Sequence, residues 1–266
     1  MRLRFFQRTR FKSLFKYGVV KKNIVNYTAK GITDMGKKRR ENQDAFRILN
    51  ERGFFVVADG ISGLQEGAIA SNSAADALCD LITKKIKYET NIDDISFIIS
   101  NALIELSNKF YKDEGNRLGT TIVLALIKGN KAFIAHLGDS RAYILSKGRL
   151  LRLTEDHNLF YLLSQSSKSG NNIEIVNHKT RNMLTKFIGM KNADPEVKII
   201  KLEYGDRLLL CTDGLSGFID DQEIEEIISC MQSPTAILTN LVEHANEAGS
   251  YDDITAIIIE YTDDLD

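Results

Sequence analysis

Four aspartates stand where an apolar run stops or starts. Phe54-Phe55-Val56-Val57-Ala58 halts at Asp59-Gly60, Ile134-Ala135-His136-Leu137 at Gly138-Asp139, and Leu208-Leu209-Leu210-Cys211-Thr212 at Asp213-Gly214. Near the C-terminus, Asp252-Asp253 leads into the apolar run that begins at Ile254. A single Asp beside a Gly is best read as a turn, because both residues favour turns. Three in the same position, with a carboxylate pair ahead of a last strand, point elsewhere. Strand ends hold side chains rigidly, and gathered carboxylates repel one another unless a cation lies among them. Such an oxygen-rich site suits hard divalent ions. Neither histidine nor cysteine forms a ligand-like pair, which favours Mg²⁺ or Mn²⁺ over Zn²⁺. A glycine next to the aspartate, lacking Cβ, lets its own carbonyl approach a metal.

The elements that must position these residues are legible in the periodicity. Residues 53–58 read as a buried strand and 66–86 as a helix, with Ala70, Ala74, Leu78, Leu81, Ile82 and Ile86 on one face. Ile95, Ile98, Ile99, Ala102, Leu103, Leu106 and Phe110 keep a helical period, behind the N-cap types Asn91 and Asp93. Strand patterns at 120–127, 131–137, 141–145 and 150–153, with turns at Gly129-Asn130 and Lys147-Gly148, predict an antiparallel meander. Residues 155–195 are polar and irregular. Strands return at 196–202 and 207–212, then helices at 221–231 and 234–246, the latter opened by Ser233-Pro234, and a last strand at 254–261. Antiparallel strands with helices grouped in pairs argue for an α+β fold and against a doubly wound parallel sheet.

Composition is that of a globular protein: 43% hydrophobic and 27% charged over 266 residues, enough chain for a substantial core. No apolar run approaches the ~20 residues of a membrane span. Three widely spaced cysteines argue against a disulfide framework and fit a reducing cytoplasm. The net charge of −1 hides an asymmetry, since residues 1–22 hold eight basic residues and no acid. That arm interleaves Phe and Leu with the charges. It reads equally as an amphipathic segment for anionic lipid, an acidic partner or nucleic acid, and as an extension packed on the body with its charges solvated.

The motifs resemble the metal-dependent protein phosphatases of the 2C type, the bacterial branch most closely. They run in the family's order from Thr33-Asp34-Met35-Gly36-Lys37-Lys38-Arg39-Arg40-Glu41-Asn42-Gln43-Asp44-Ala45, through Asp59-Gly60-Ile61-Ser62-Gly63, Gly119-Thr120-Thr121, Gly138-Asp139-Ser140-Arg141 and Thr154-Glu155-Asp156-His157, to Thr212-Asp213-Gly214 and Asp252-Asp253-Ile254-Thr255. The resemblance implies a four-layer αββα sandwich, with residues 24–266 as the catalytic domain and 1–23 as a basic amphipathic extension. It implies a serine/threonine phosphatase that uses a water or hydroxide bridging two Mn²⁺ or Mg²⁺ ions and reverses a kinase in signalling. Asp59 would bridge both ions, Gly60 would offer its carbonyl to one, and Asp213 and Asp252 would complete the other. Asp139 with Asp213 is the place for a third ion. Asp44 would lie behind the ligands, with Gln43 beside it. Arg39 would bind the phosphoryl group, its planar fork matching the oxygens better than a lysine. Arg39, Asp59 and Asp213 would carry the catalysis.

Some residues depart from the family pattern. Gln43 replaces a usual glutamate, which implies weaker metal binding at one position. Ile61 and Leu64 stand where histidines occur in eukaryotic and bacterial members respectively, so no side-chain acid is evident beside the metals. Asp253 replaces a usual asparagine, a modest change. His136 and His157 read as structural, and His178 as part of a solvated loop. The partners expected are a phosphorylated protein and an opposing Ser/Thr kinase, not nucleic acid, in a cytoplasmic enzyme that the arm could tether to a membrane or acidic partner. The competing reading is a regulatory module that keeps the fold and is recruited through the arm.

Overall fold

The computed structural model of the chain describes residues 27–61, 66–87, 89–114, 118–167, 183–230 and 233–262. The basic arm, Leu64 and His178 lie outside them. Among the described residues, ten strands form two antiparallel five-stranded sheets. One has the order β1 (Tyr27–Asp34), β10 (Ile254–Tyr261), β9 (Arg207–Cys211), β6 (Arg141–Ser146), β7 (Arg149–Arg152). The other runs β2 (Asp44–Leu49), β3 (Phe54–Asp59), β4 (Ile122–Lys128), β5 (Lys131–Leu137), β8 (Glu196–Lys201). Helices α1 (Gly67–Lys85) and α2 (Ile95–Glu114) cover the second sheet. Helices α5 (Asp221–Cys230) and α6 (Pro234–Glu247) cover the first. Among the described residues there are also two short helices, α3 (Leu159–Ser167) and α4 (Asp213–Ser216). This is the αββα sandwich that the motifs implied.

The central strands read as unbroken apolar runs because both of their faces are covered. In β3, Phe54, Val56 and Ala58 meet the helices while Phe55 and Val57 meet the opposite sheet. In β9, Leu209 and Cys211 pack under the helices and Leu208 and Leu210 between the sheets. Cys211 is thus core.

The meander expected from 120 to 153 is corrected. β4 pairs with β5 and β6 with β7, but the two hairpins belong to different sheets. Residues 138–140 cross between them. Gly138 makes the crossing at φ +117°, where a Cβ would lie 2.6 Å from Cβ of Thr121. The polar stretch after residue 155 contains α3, which its composition did not announce. Asn91 caps a single 3₁₀ turn at Ile92–Asp94 ahead of α2, accepting from the Asp93 N–H at 3.2 Å, so it starts the helix one step removed. Ser233 caps α6 as expected. Strands β1 and β2 were not foreseen, since β1 has one half-exposed face and no continuous apolar run.

Register brings the acids to one end. Asp44 at the start of β2 lies opposite Asp59 at the end of β3. Cys211 pairs with both Arg141 and Ala256, which aligns the end of β9 with the starts of β6 and β10. Asp213 stands two residues past the end of β9, and Asp139 and Asp252 two residues ahead of the starts of β6 and β10.

Candidate active site

The structure brings Asp44, Asp59, Asp139, Asp213 and Asp252 into one electrostatic cluster. Burial, then Asp44, Asp213, Asp252 and Asp139 in that order, push the Asp59 carboxyl well above the usual carboxylate range. Burial and then Asp213 raise Asp139; burial and then Asp252 raise Asp213. Asp44 is raised by burial and by the charges of Asp253 and Asp213, against the Thr212 hydroxyl, which donates to its Oδ2 at 3.0 Å. Two buried oxygens of the group, Asp44 Oδ1 and Asp213 Oδ1, have no hydrogen-bond partner. Buried carboxylate oxygens without donors, among like charges, fit a divalent cation as their missing partner.

The strand ends are held by hydroxyls. Thr120 Oγ1 donates to the Asp59 carbonyl at 2.7 Å, and the Asp59 N–H donates to Thr121 Oγ1 at 3.1 Å. Thr121 Oγ1 lies 2.7 Å from Ser140 Oγ, tying β3 to the Gly138-Asp139 crossing. Close packing requires the glycines at the strand ends. A Cβ on Gly60 would lie 2.2 Å from the Gly67 carbonyl oxygen, and one on Gly214 would lie 1.9 Å from that of Asp253. Backbone segments of the site touch there, and a side chain would part them.

Arg39 sits on the loop between β1 and β2. Its Nη2 donates to Asp252 Oδ1, so the residue expected on phosphate and one expected on metal are paired with each other. Burial works against the guanidinium charge, but Asp252, Asp253 and Asp59 hold its proton more firmly than usual. Asp253 was read as a modest departure; its role is larger. It is buried, and its two oxygens accept from the N–H of Gly36 at 2.9 Å and of Gln43 at 2.8 Å, the two ends of the loop that carries Arg39. An asparagine would offer one acceptor where two donors converge. The sequence signal was the carboxylate repeated at 252–253. Gln43 joins through this backbone bond, and its side-chain amide packs against Gly67.

Behind the cluster, Arg141 grips Asp156 in two bonds, Nε to Oδ1 at 3.0 Å and Nη2 to Oδ2 at 2.8 Å, and donates to the Ser216 carbonyl at 3.1 Å. Arg152 also donates to Asp156. This node anchors α4, which begins with Asp213; sequence reasoning did not single it out. His136 and His157 stack at 4.4 Å between centroids, and an N or O atom of each, with one of Glu196, lies within 4.8 Å of the others. That spacing suits a metal, but the protons are already placed. His136 Nε2 faces the Glu155 carbonyl at 2.8 Å and so must donate. His157 Nδ1 accepts from the Gly138 N–H at 3.2 Å, which leaves Nε2 to donate to Glu196 at 2.9 Å. The chain thus bonds both nitrogens of His157 and Nε2 of His136, in keeping with a structural reading of the pair.

A family profile described as Protein phosphatase 2C matches residues 36–250. The chain belongs to this family and is a protein phosphatase of the 2C type. Protein phosphatase PhpP of Streptococcus pneumoniae is 33% identical over 245 residues, covering 88% of this chain and 97% of the relative. Among solved structures, the S. agalactiae serine/threonine phosphatase is 28% identical with a TM-score of 0.78, covering 89% of this chain and all (100%) of that one. The catalytic domain of serine threonine protein phosphatase PstP, solved in complex with two manganese ions, shares the fold at a TM-score of 0.73 and 23% identity, over 89% of this chain and 99% of that one.

Proposed function

We propose that the chain hydrolyses phosphoserine and phosphothreonine in proteins, with two Mn²⁺ or Mg²⁺ ions held by Asp59, the Gly60 carbonyl, Asp213 and Asp252, and a third ion at Asp139 and Asp213. The observation that carries this reading is the unpartnered, buried Asp213 Oδ1 inside a group of mutually repelling carboxylates. Divalent ions supply a water acidic enough to react near neutral pH and charge to offset the phosphoryl oxygens. The chain's residues do the rest. Arg39 exchanges Asp252 for the phosphoryl group, and its fork orients two oxygens. Asp253 keeps the Arg39 loop in place. Asp44, fixed through Oδ2 by Thr212, keeps Oδ1 to accept a proton from water in the cluster. The neutral Ile61 follows the Asp59-Gly60 turn, so that side chain supplies no proton to the leaving oxygen.

In the cell this activity opposes a Ser/Thr kinase, in the cytoplasm, with residues 1–22 as a contact for membrane or an acidic partner. Among the described residues no helix is long and apolar enough to cross a membrane. The regulatory-module reading is not favoured, because each candidate ligand is present and gathered. Hydrolysis of an aryl phosphate and a phosphothreonine peptide, with Mn²⁺ and with EDTA, tests the proposal. Turnover that requires Mn²⁺ is expected. Equal turnover in EDTA, or none at saturating Mn²⁺, contradicts it.

A further inference from the structure

Resting on that phosphatase reading, we propose that Lys38, Tyr251 and Phe218 form a specificity rim that selects acidic residues next to the phosphorylated side chain. The Arg39–Asp252 pair is repeated one residue back in both segments. Lys38 Nζ stands 5.2 Å from the centroid of the Tyr251 ring, within cation–π range. Phe218 meets Tyr251 edge-on at 5.2 Å and 89°. The three residues thus come from the three segments that carry Arg39, Asp252 and Asp213. They are fixed to the site rather than hung beside it. Gly36 lies so close to residues 251–252 that a Cβ on it would fall 2.6 Å from the Tyr251 carbonyl oxygen and 2.5 Å from that of Asp252.

The rim faces outward. Tyr251 is 48% exposed, and Lys37, Lys38 and Arg40 are exposed. Arg39 is answered by Asp252, and Lys37 donates to the Asn246 carbonyl at 3.3 Å. Lys38 is held by a neutral ring, so its charge is not cancelled there. Successive Cα atoms are ~3.8 Å apart, so a peptide whose phosphoryl group reaches Arg39 carries its neighbouring residue past Lys38. A carboxylate there gains an ion pair beside apolar ring surface; a Lys or Arg meets like charge. The aromatic wall gives the peptide contact area whatever its charge.

The test compares kcat/KM for phosphothreonine peptides with Asp-Glu or Lys-Arg flanks, and for an aryl phosphate that has no flanks. The wild type should favour the acidic peptide on the order of tenfold, the scale of a close charge pair at an interface. Lys38→Glu should erase or invert that preference, chiefly through KM, and leave the aryl phosphate rate within about twofold, as for an exposed residue off the reacting group. Tyr251→Ala should lower kcat/KM for both peptides more than for the aryl phosphate. Equal use of both peptides by the wild type overturns the proposal, as does a preference that survives Lys38→Glu. Failure to hydrolyse the aryl phosphate at all overturns the phosphatase reading with it, whereas aryl phosphate turnover without peptide preference overturns the rim alone.

Discussion

Two buried polar clusters lie at the same end of the sandwich and solve opposite problems. Around Asp156, His136 and His157, each group meets a partner of opposite need: two arginines share one carboxylate, and each ring nitrogen that is bonded has its proton assigned by a carbonyl or an N–H. Around Asp59, like charges face one another across a strand pair, and two oxygens are left without donors. Burial is common to both, so burial does not separate a structural cluster from a reactive one. Completeness does. A cluster finished by the chain's own atoms holds the fold, and one left short is finished by a ligand.

Breaking this contrast should have opposite effects on stability. Asp213→Asn should lower Mn²⁺-dependent turnover by more than the roughly 100-fold typical of losing a partner behind a metal ligand, while raising the unfolding midpoint of the metal-free protein because one repulsion is gone. Activity assays and urea melts in EDTA check both halves. Asp156→Ala should instead lower stability, by up to about 3 kcal/mol, because two part-buried arginines lose the buried carboxylate they share. A lower denaturant midpoint in EDTA is the readout.

The histidine cluster sharpens the comparison through pH. Burial, and then His157, lower His136 from the ordinary 6.5 to about 4. At pH 7 it is neutral in both states. Between the two values the unfolded chain takes this proton first, so the His136 contribution to stability falls as pH falls, by roughly 1.4 kcal/mol per unit and on the order of 3 kcal/mol in all, against the opposite contribution of the raised aspartates. Melts from pH 7 to 4 should show a shallower loss for His136→Gln. The smallest effect expected is for Arg39→Lys, which keeps the charge and loses the fork; KM for a phosphothreonine peptide should rise roughly tenfold, with less change in kcat.

The acids were legible because an apolar strand that stops at Asp is a local pattern. So were the four long helices and the central strands, whose burial on two faces writes itself as continuous hydrophobicity. β1 and β2 were not, since the half-exposed Tyr27–Asp34 shows no such run. The split of the meander depended on a single glycine conformation at residue 138, which spacing does not reveal. The Arg39–Asp252 pair and the Asp253 clamp join residues more than 200 positions apart, and only register brings them together. The histidines could be judged structural from sequence, but the reason, the placement of their protons, required the geometry.

The central claim is that the incomplete cluster, and not the complete one, takes up the cation. Mn²⁺-induced change in unfolding temperature, measured on the wild type, Asp213→Asn and His136→Gln, tests it most directly. Mn²⁺ should raise the midpoint of the wild type and of His136→Gln, and raise that of Asp213→Asn clearly less. An equal rise in Asp213→Asn, or a rise lost with His136→Gln, would contradict the account.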